Sequence, residues 1–307
     1  MKTESLPYVS LLAFMFGTTL VGSRFSVGQF DSPTYVALRM AIASGCYLAV
    51  YALSRGRRLP RDRRVWRHAP VLGVLATAVP MNLIVGALNF QSSGVTSLLL
   101  TVAPAITVLL AHFLLPDEKL QRRTAVGIAL AISGAALLTL LGETGLPEGG
   151  ESSPIGYLMV IAAMLAGGLG VIYARRNMQD LDTIDVASVR MWTAVLVSLP
   201  FSLLLVGFDL SRVDAAGYGV LFYAGIVGTF GAMLLEFGII QRFGATATAM
   251  TANLIPIVAL VAGALLLDEQ ITPGMLAAMA LIVGGVTLIT RRSPMPEVAA
   301  PSDSGPL

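Results

Sequence analysis

Three groups of side chains in this chain could do chemistry out of proportion to their number. The first is a pair of prolines, each set three residues after a small polar side chain: Thr101-Val102-Ala103-Pro104 and Asn253-Leu254-Ile255-Pro256. Both lie inside long apolar runs. Within a helix a proline removes one N–H and displaces the carbonyl four residues back, here those of Leu100 and Ala252. Lipid cannot satisfy such a carbonyl, so it must face protein or a watery cavity. The freed carbonyls, Thr101 and Asn253 are therefore expected to line a central cavity and meet substrate. The competing account is a plain kink, with Thr101 bonded back into its own helix.

The second group is a lone carboxylate. Glu236 is the only acidic residue well inside an apolar run. An ionisable group at such a depth costs ~2.5–3.5 kcal/mol and marks a functional site by default. It is the candidate for proton coupling or for contact with a substrate amine. Arg242 follows six residues later, so a carboxylate reaching to the interface is the alternative. The third group is basic. Arg39 and Arg190 could meet a substrate carboxylate or neutralise Glu236. Each stands close to the end of its run, so snorkelling to the interface is expected of both. His112 could shuttle protons, yet it stands three residues from Pro116, where an interfacial ring is expected. Asn82, beside Pro80 and Met81, is a polar group at mid-run that needs partners: substrate, or a neighbouring helix.

The elements that position these residues are membrane helices. Hydrophobic residues make up 55% of the 307 and charged residues only 12%, against roughly 25% charged in a soluble domain. Runs of ~20 apolar residues cross a ~30 Å bilayer core. Ten are expected, over 7–27, 33–54, 69–90, 94–115, 124–142, 154–174, 185–207, 217–240, 245–267 and 273–290. The loop 55–68 carries seven arginines and sets the orientation by the positive-inside rule. Both termini are then cytoplasmic. The loop 143–153 has Glu143, Glu148 and Glu151 without Lys or Arg, and is rich in Gly, Pro and Ser. It reads as a periplasmic linker. The tail 293–307 is rich in Pro, Ser and Ala and is expected to be disordered.

The chain is also duplicated. A shift of 151 lays Arg39-Met40 on Arg190-Met191, Glu118 on Glu269 and Gly134 on Gly285, while the prolines need 152. This places a one-residue slip in the proline-bearing helix. Five helices per half is an odd number, so the halves, 1–142 and 154–292, cross in opposite senses. The loop after Asp117-Glu118 holds Lys119, Arg122 and Arg123, whereas the stretch after Asp268-Glu269 has no basic residue before Pro273. An inverted repeat is the signature of secondary transporters, with the substrate site near the midplane between the repeats.

The segments Ala103-Pro104…Leu114-Leu115-Pro116-Asp117-Glu118-Lys119-Leu120 with Gly127 and Gly134, and Ile255-Pro256…Leu265-Leu266-Leu267-Asp268-Glu269 with Gly284-Gly285, carry a family resemblance. So does Arg39 in Tyr35-Val36-Ala37-Leu38-Arg39. The chain resembles the drug/metabolite transporter superfamily, specifically its EamA-type ten-helix members, over nearly its whole length. Pro116 before the acidic pair departs from the usual glycine. The resemblance implies movement of small metabolites such as amino acids without ATP.

The expected protein is thus all-α and polytopic, with ten helices in two inverted five-helix repeats, sitting in a bacterial inner membrane. It is read as an exporter of small metabolites by alternating access, uncoupled or proton-coupled. Nucleotide sugars, sugar phosphates and quaternary amines stay open as substrates. A non-transporting scaffold is the rival class, and it leaves the polar mid-run residues unexplained. No catalytic constellation and no ATP-binding motif is present. Cys46 is the only cysteine and the histidines are His68 and His112, so no disulfide, metal or cofactor is expected. The partners expected are a small molecule and lipid. The net charge of +2 gives no case for nucleic acid, and ten helices suffice for a monomer.

Overall fold

The computed structural model describes residues 3–54, 58–115, 120–147, 153–243 and 245–290. Ten helices are long and apolar enough to cross a membrane. They are α1 (Leu6–Ser26), α2 (Ser32–Leu53), α3 (Arg63–Ala87), α4 (Ser93–Leu114), α5 (Arg122–Leu140), α6 (Pro154–Asn177), α7 (Thr183–Leu205), α8 (Ala215–Phe243), α9 (Ala245–Leu267) and α10 (Pro273–Thr290). Arg55, Arg57, the acidic pair Asp117-Glu118, residues 148–152 and the tail lie outside the described residues.

Local chemistry fixes where several helices begin. The side chains of Asp62, Ser92, Asp182 and Asp214 accept from backbone N–H groups of the first turns of α3, α4, α7 and α8, satisfying donors that a helix start leaves open. At α3 the helix starts six residues before the expected start of the span, because Arg63, Arg64 and Arg67 are helical rather than part of the loop. Asp214 is fully exposed, and the Gly217 N–H holds its carboxyl below the usual carboxylate range.

Three interruptions break the regular helices. α3 contains a π-helical turn at Val74–Ala78 and α8 one at Ile226–Gly231. Neither was legible as a pattern in either half alone. The third is at the prolines, and the halves differ there. α4 breaks at Thr101-Val102, so Pro104 falls in the first turn of a second segment, Ala103–Leu114. α9 runs unbroken from Ala245 to Leu267 with Pro256 inside it. The two prolines, alike in their sequence setting, therefore differ in the structure: a proline in a first turn sacrifices a donor that is unpaired in any case, whereas one in a helix interior sacrifices a real bond.

α5 and α10 form the tightest pair, and glycine makes it. A Cβ on Gly285 would stand 2.5 Å from the Gly127 carbonyl oxygen and 2.6 Å from the Ala131 nitrogen. Close backbone approach through small residues is a common basis of helix association in lipid. Gly284, one residue earlier, faces open space. The loops at the end of the bundle away from Arg58–Arg67 are knit together. Ser92 N–H donates to the Thr144 carbonyl at 2.8 Å and Gln270 N–H to the Gly145 carbonyl at 2.9 Å. Gly145 has φ +65°, and a Cβ there would collide with Ser92.

The pairing of Gly127 with Gly285 predicts a position-specific effect. Gly285→Leu should lose at least ~1–3 kcal/mol from overpacking and show a lower Tm and an aggregated elution profile in detergent. Gly284→Leu should elute and melt as the parent does. Equal behaviour of the two variants would contradict the packing described.

Candidate functional site

The largest change from expectation concerns the arginines. Neither snorkels. Arg39 on α2 is 5% exposed and turns into the bundle. Its Nε donates to Thr229 Oγ1 at 2.8 Å and its Nη1 to Ser23 Oγ at 3.3 Å. Arg190 on α7 donates from Nε to Thr77 Oγ1 and from Nη2 to the Ala76 carbonyl. Each arginine is only seven residues from the start of its helix, or ~10 Å at 1.5 Å per residue. The side chain nevertheless points toward mid-bundle, because the hydrogen-bond acceptors are there.

These contacts are related by the duplication. Thr77 lies in the π turn of α3 and Thr229 in that of α8. Thr229 Oγ1 also donates to the carbonyl five residues back, at 2.8 Å, and Thr77 Oγ1 does so at 3.4 Å. Each arginine therefore bridges to the other repeat: Arg39 of the first half to Thr229 of the second, Arg190 of the second to Thr77 of the first. Glycines let the helices close in. A Cβ on Gly225 would lie 2.7 Å from Ile42, and one on Gly73 would lie 2.6 Å from Thr193. Gly73 and Gly225, like Thr77 and Thr229, are 152 apart. The one-residue slip assigned to the proline helix thus already holds in α3 and α8.

A cavity of about 270 Å³ lies where the repeats meet. Its wall comes from α1, α2, α3, α4 and α9, and Arg39, Ser23, Thr19, Ser97 and Thr101 supply its polar side chains. Leu100, the last residue before the break in α4, and Ala252, whose carbonyl Pro256 frees, both line it. Thr101 Oγ1 lies 2.8 Å from the Ser97 carbonyl and 3.3 Å from that of Ala252. The remaining wall is apolar, with Phe16, Leu20, Met81, Ile84, Val85 and Ile255.

The other sequence candidates fall elsewhere. Asn253 is not on this wall, and its Oδ1 is buried without a hydrogen-bond partner. Asn82 donates to the Ser198 hydroxyl on α7 at 3.2 Å and to the Ala78 carbonyl at 2.8 Å, an inter-helix contact. It borders a separate cleft near Asp31 and Phe201. Pro104 starts the second segment of α4, while Pro256 acts through the Ala252 carbonyl that it frees. Glu236 is half-buried and lies within electrostatic reach of Arg190, away from the Arg39 cavity. His112 is exposed on the last turn of its segment, its ring against Phe113.

One carboxylate escaped notice as a structural group. Glu269 is 6% exposed and takes three hydrogen bonds at the start of α4: from Ser93 N–H at 2.8 Å, Ser93 Oγ at 2.7 Å and Gly94 N–H at 3.2 Å. Anions are stabilised at a helix N-terminus. Asp268 at φ +53° turns the chain so that Glu269 reaches back. The sequence shows an acidic pair after the last apolar turn of α9, but not which helix start it caps.

Ten spanning helices in two opposed repeats, with a cavity between them, define a polytopic membrane transporter. The chain belongs to the EamA-like transporter family, whose description matches residues 5–140 and again 154–291. It is 32% identical over 206 residues to a Salmonella typhimurium protein named "Probable amino-acid metabolite efflux pump", a match covering 63% of this chain and 66% of that one. It is 29% identical over 260 residues to a "Probable terminal-alkyne amino-acid exporter" of Streptantibioticus cattleyicolor, covering 83% and 82%. A crystal structure shares the fold with TM-score 0.65 at 20% identity, over 94% of this chain and 99% of the other. The substrate of this multi-pass membrane protein is a small molecule.

The bridging arginines predict unequal costs. Removing the acceptor of a buried charged donor costs ~1–3 kcal/mol. Thr229→Val leaves Arg39 only Ser23, whereas Thr77→Val leaves Arg190 a carbonyl and the Glu236 charge. Chemical unfolding in detergent should therefore show the larger loss for Thr229→Val.

Proposed function

We propose that the protein exports amino acids or closely related small metabolites from a bacterial cytoplasm across the inner membrane, by alternating access at the repeat interface. The observation that carries the reading is the cavity between the repeats, which gathers a buried arginine, four hydroxyls, the broken end of Ser93–Leu100 and the proline-freed Ala252 in a largely apolar wall. The printed names of the two relatives above support the substrate class and the direction. In this reading the end carrying Arg58, Arg61, Arg63, Arg64 and Arg67 is cytoplasmic, as are both termini, and the loop after α5 is periplasmic.

Two features support alternating access. Inverted repeats move by rocking one unit against the other around a fixed site, and the broken α4 opposite the unbroken α9 gives the two repeats different shapes. Glu236 with Arg190 is the candidate for proton coupling, since a carboxylate at this depth that can be neutralised by a neighbouring arginine or by a proton has two accessible states.

The first test is efflux from proteoliposomes loaded with a mixed pool of amino acids, sugars and amines, read by mass spectrometry. Amino acids should leave faster than from protein-free liposomes. Ile84→Trp, which fills the cavity, should lower that rate at least tenfold while eluting as folded protein. An imposed pH gradient should change the rate in the parent and not in Glu236→Gln. Parent liposomes that release nothing above background would sink the transporter reading. Undiminished efflux by Ile84→Trp would place the pathway elsewhere, and a retained gradient effect in Glu236→Gln would remove Glu236 from coupling.

A further inference from the structure

We infer that Arg39 binds the carboxylate of the transported molecule and that the Ala252 carbonyl binds its ammonium group, so that the cavity takes a zwitterionic α-amino acid with an apolar side chain. This deepens the transporter reading above and rests on it.

The argument starts from the two arginines the duplication matches. Around each, one position decides whether an internal counter-ion exists. In the register of 152 that relates α3 to α8, Ile84 corresponds to Glu236. Arg190 has that glutamate within electrostatic reach. Arg39 has an isoleucine at the equivalent place, and no Asp or Glu lines its cavity. Two of its five N–H donors go to Thr229 and Ser23, and no other hydrogen bond engages it among the described residues. A buried cation without a partner is among the costlier arrangements in a protein. A guanidinium presents a planar fork that suits a carboxylate, and a bidentate pair both satisfies and neutralises it.

The second half of the site is the acceptor opposite. Pro256 has no N–H, so the Ala252 carbonyl lacks its helical donor. Thr101 carries a single hydroxyl proton, and the shorter contact, to Ser97, takes it. The Ala252 oxygen is left with a 3.3 Å contact, and Ala252 lines the same cavity as Arg39. A carbonyl with spare lone pairs beside a threonine oxygen suits an ammonium group, which offers three donors and no acceptor. Between the two polar ends the wall is Phe16, Leu20, Met81, Val85, Leu100 and Ile255, which suits an aliphatic or aromatic side chain.

The same features weigh against the other substrate classes. A quaternary amine would meet Arg39 with no carboxylate to offset it. A nucleotide sugar exceeds a cavity of about 270 Å³, which lies below the ~300–1,000 Å³ range typical of small-molecule sites.

The test is a thermal-shift titration of the purified full chain in detergent with L-leucine, L-leucinamide and 4-methylpentanoate, which differ only by removal of the carboxylate or of the ammonium. L-Leucine should raise the Tm, with each analogue needing at least tenfold higher concentration for the same shift. Arg39→Gln should abolish the leucine response, and Arg39→Lys, which keeps the charge and covers the case of a misfolded Gln variant, should retain part of it. Pro256→Ala restores an N–H to the Ala252 carbonyl, so it should shrink the leucine-to-4-methylpentanoate difference and leave the leucinamide difference in place. Equal responses to leucine and leucinamide, a full leucine response in Arg39→Gln, or no response of the parent to leucine each overturn the inference. If the proteoliposomes export another class of compound while leucine is silent here, this inference fails and the transporter reading stands. If leucine binds as described and nothing is exported, the transporter reading fails and the site remains.

Discussion

The structure depends on satisfying two guanidinium groups in a place with no bulk water. Arg39 and Arg190 each sit two turns inside a membrane helix, and neither reaches the interface. Their acceptors come from the opposite repeat, at threonines in π turns. A π turn changes the local register by one residue and exposes a carbonyl that an α-helix would have paired. Here the turn re-aims a threonine, whose own proton goes to the carbonyl five residues back, and whose lone pairs then face the arginine. The small residues around it follow from the same need. Gly225 and Gly73 sit where Arg39 and Arg190 cross, with the arginine backbone carbonyls 3.3 and 2.8 Å from where a Cβ would be. The arginine, the π threonine and the glycine thus form one device, used twice, that ties α2 to α8 and α7 to α3.

A duplicated device need not stay symmetric in use. The first copy borders the central cavity and the second meets Glu236. The difference rests on one position, Ile84 against Glu236, with a smaller one at Ser23, whose counterpart at a shift of 151 is Ala174. One half supplies an arginine beside which no Asp or Glu lines the cavity. The other supplies an arginine whose anion is built in. The prolines show the same divergence. α4 is broken and gives its proline a harmless first-turn position, while α9 is unbroken and leaves a carbonyl short of a donor. Inverted repeats that adopt unlike shapes in one conformation are what a rocking mechanism requires.

Much of this was legible in the sequence, and what was not has physical causes. Apolar run length gave the ten spans, since a bilayer imposes its thickness on any chain that crosses it. The offset of 151 gave the opposed repeats. Depth along α2 predicts that Arg39 snorkels, and the structure differs because its acceptors lie inward. Depth says how far water is, but not whether acceptors lie nearer. The clue was present: Thr77 and Thr229 are matched across the duplication like the arginines, and four matched polar residues are better explained by two contacts than by four interfacial side chains. The role of Glu269 could not be read at all. A carboxylate seeks unpaired N–H groups, and which helix start it finds is a property of packing between chain segments 176 residues apart.

The shortest α-helical segment among the described residues joins these parts. Ser93–Leu100 is two turns of helix. At one end its N–H groups are held by Glu269, which arrives from the loop between α9 and α10 and lies within electrostatic reach of Arg24. At the other end Thr101 follows directly, divided between its own helix and the Ala252 carbonyl on α9. Both ends therefore hang on the second repeat, one through the loop after α9 and one through α9 itself. A rigid segment of about 12 Å transmits a shift at one end to the other. The tie at Glu269 is a three-bond cap beside the loops at 92, 145 and 270, which are knit together, whereas the meeting of Thr101 with Ala252 is a 3.3 Å contact. These eight residues thus run from the wall of the cavity to that knit end of the bundle.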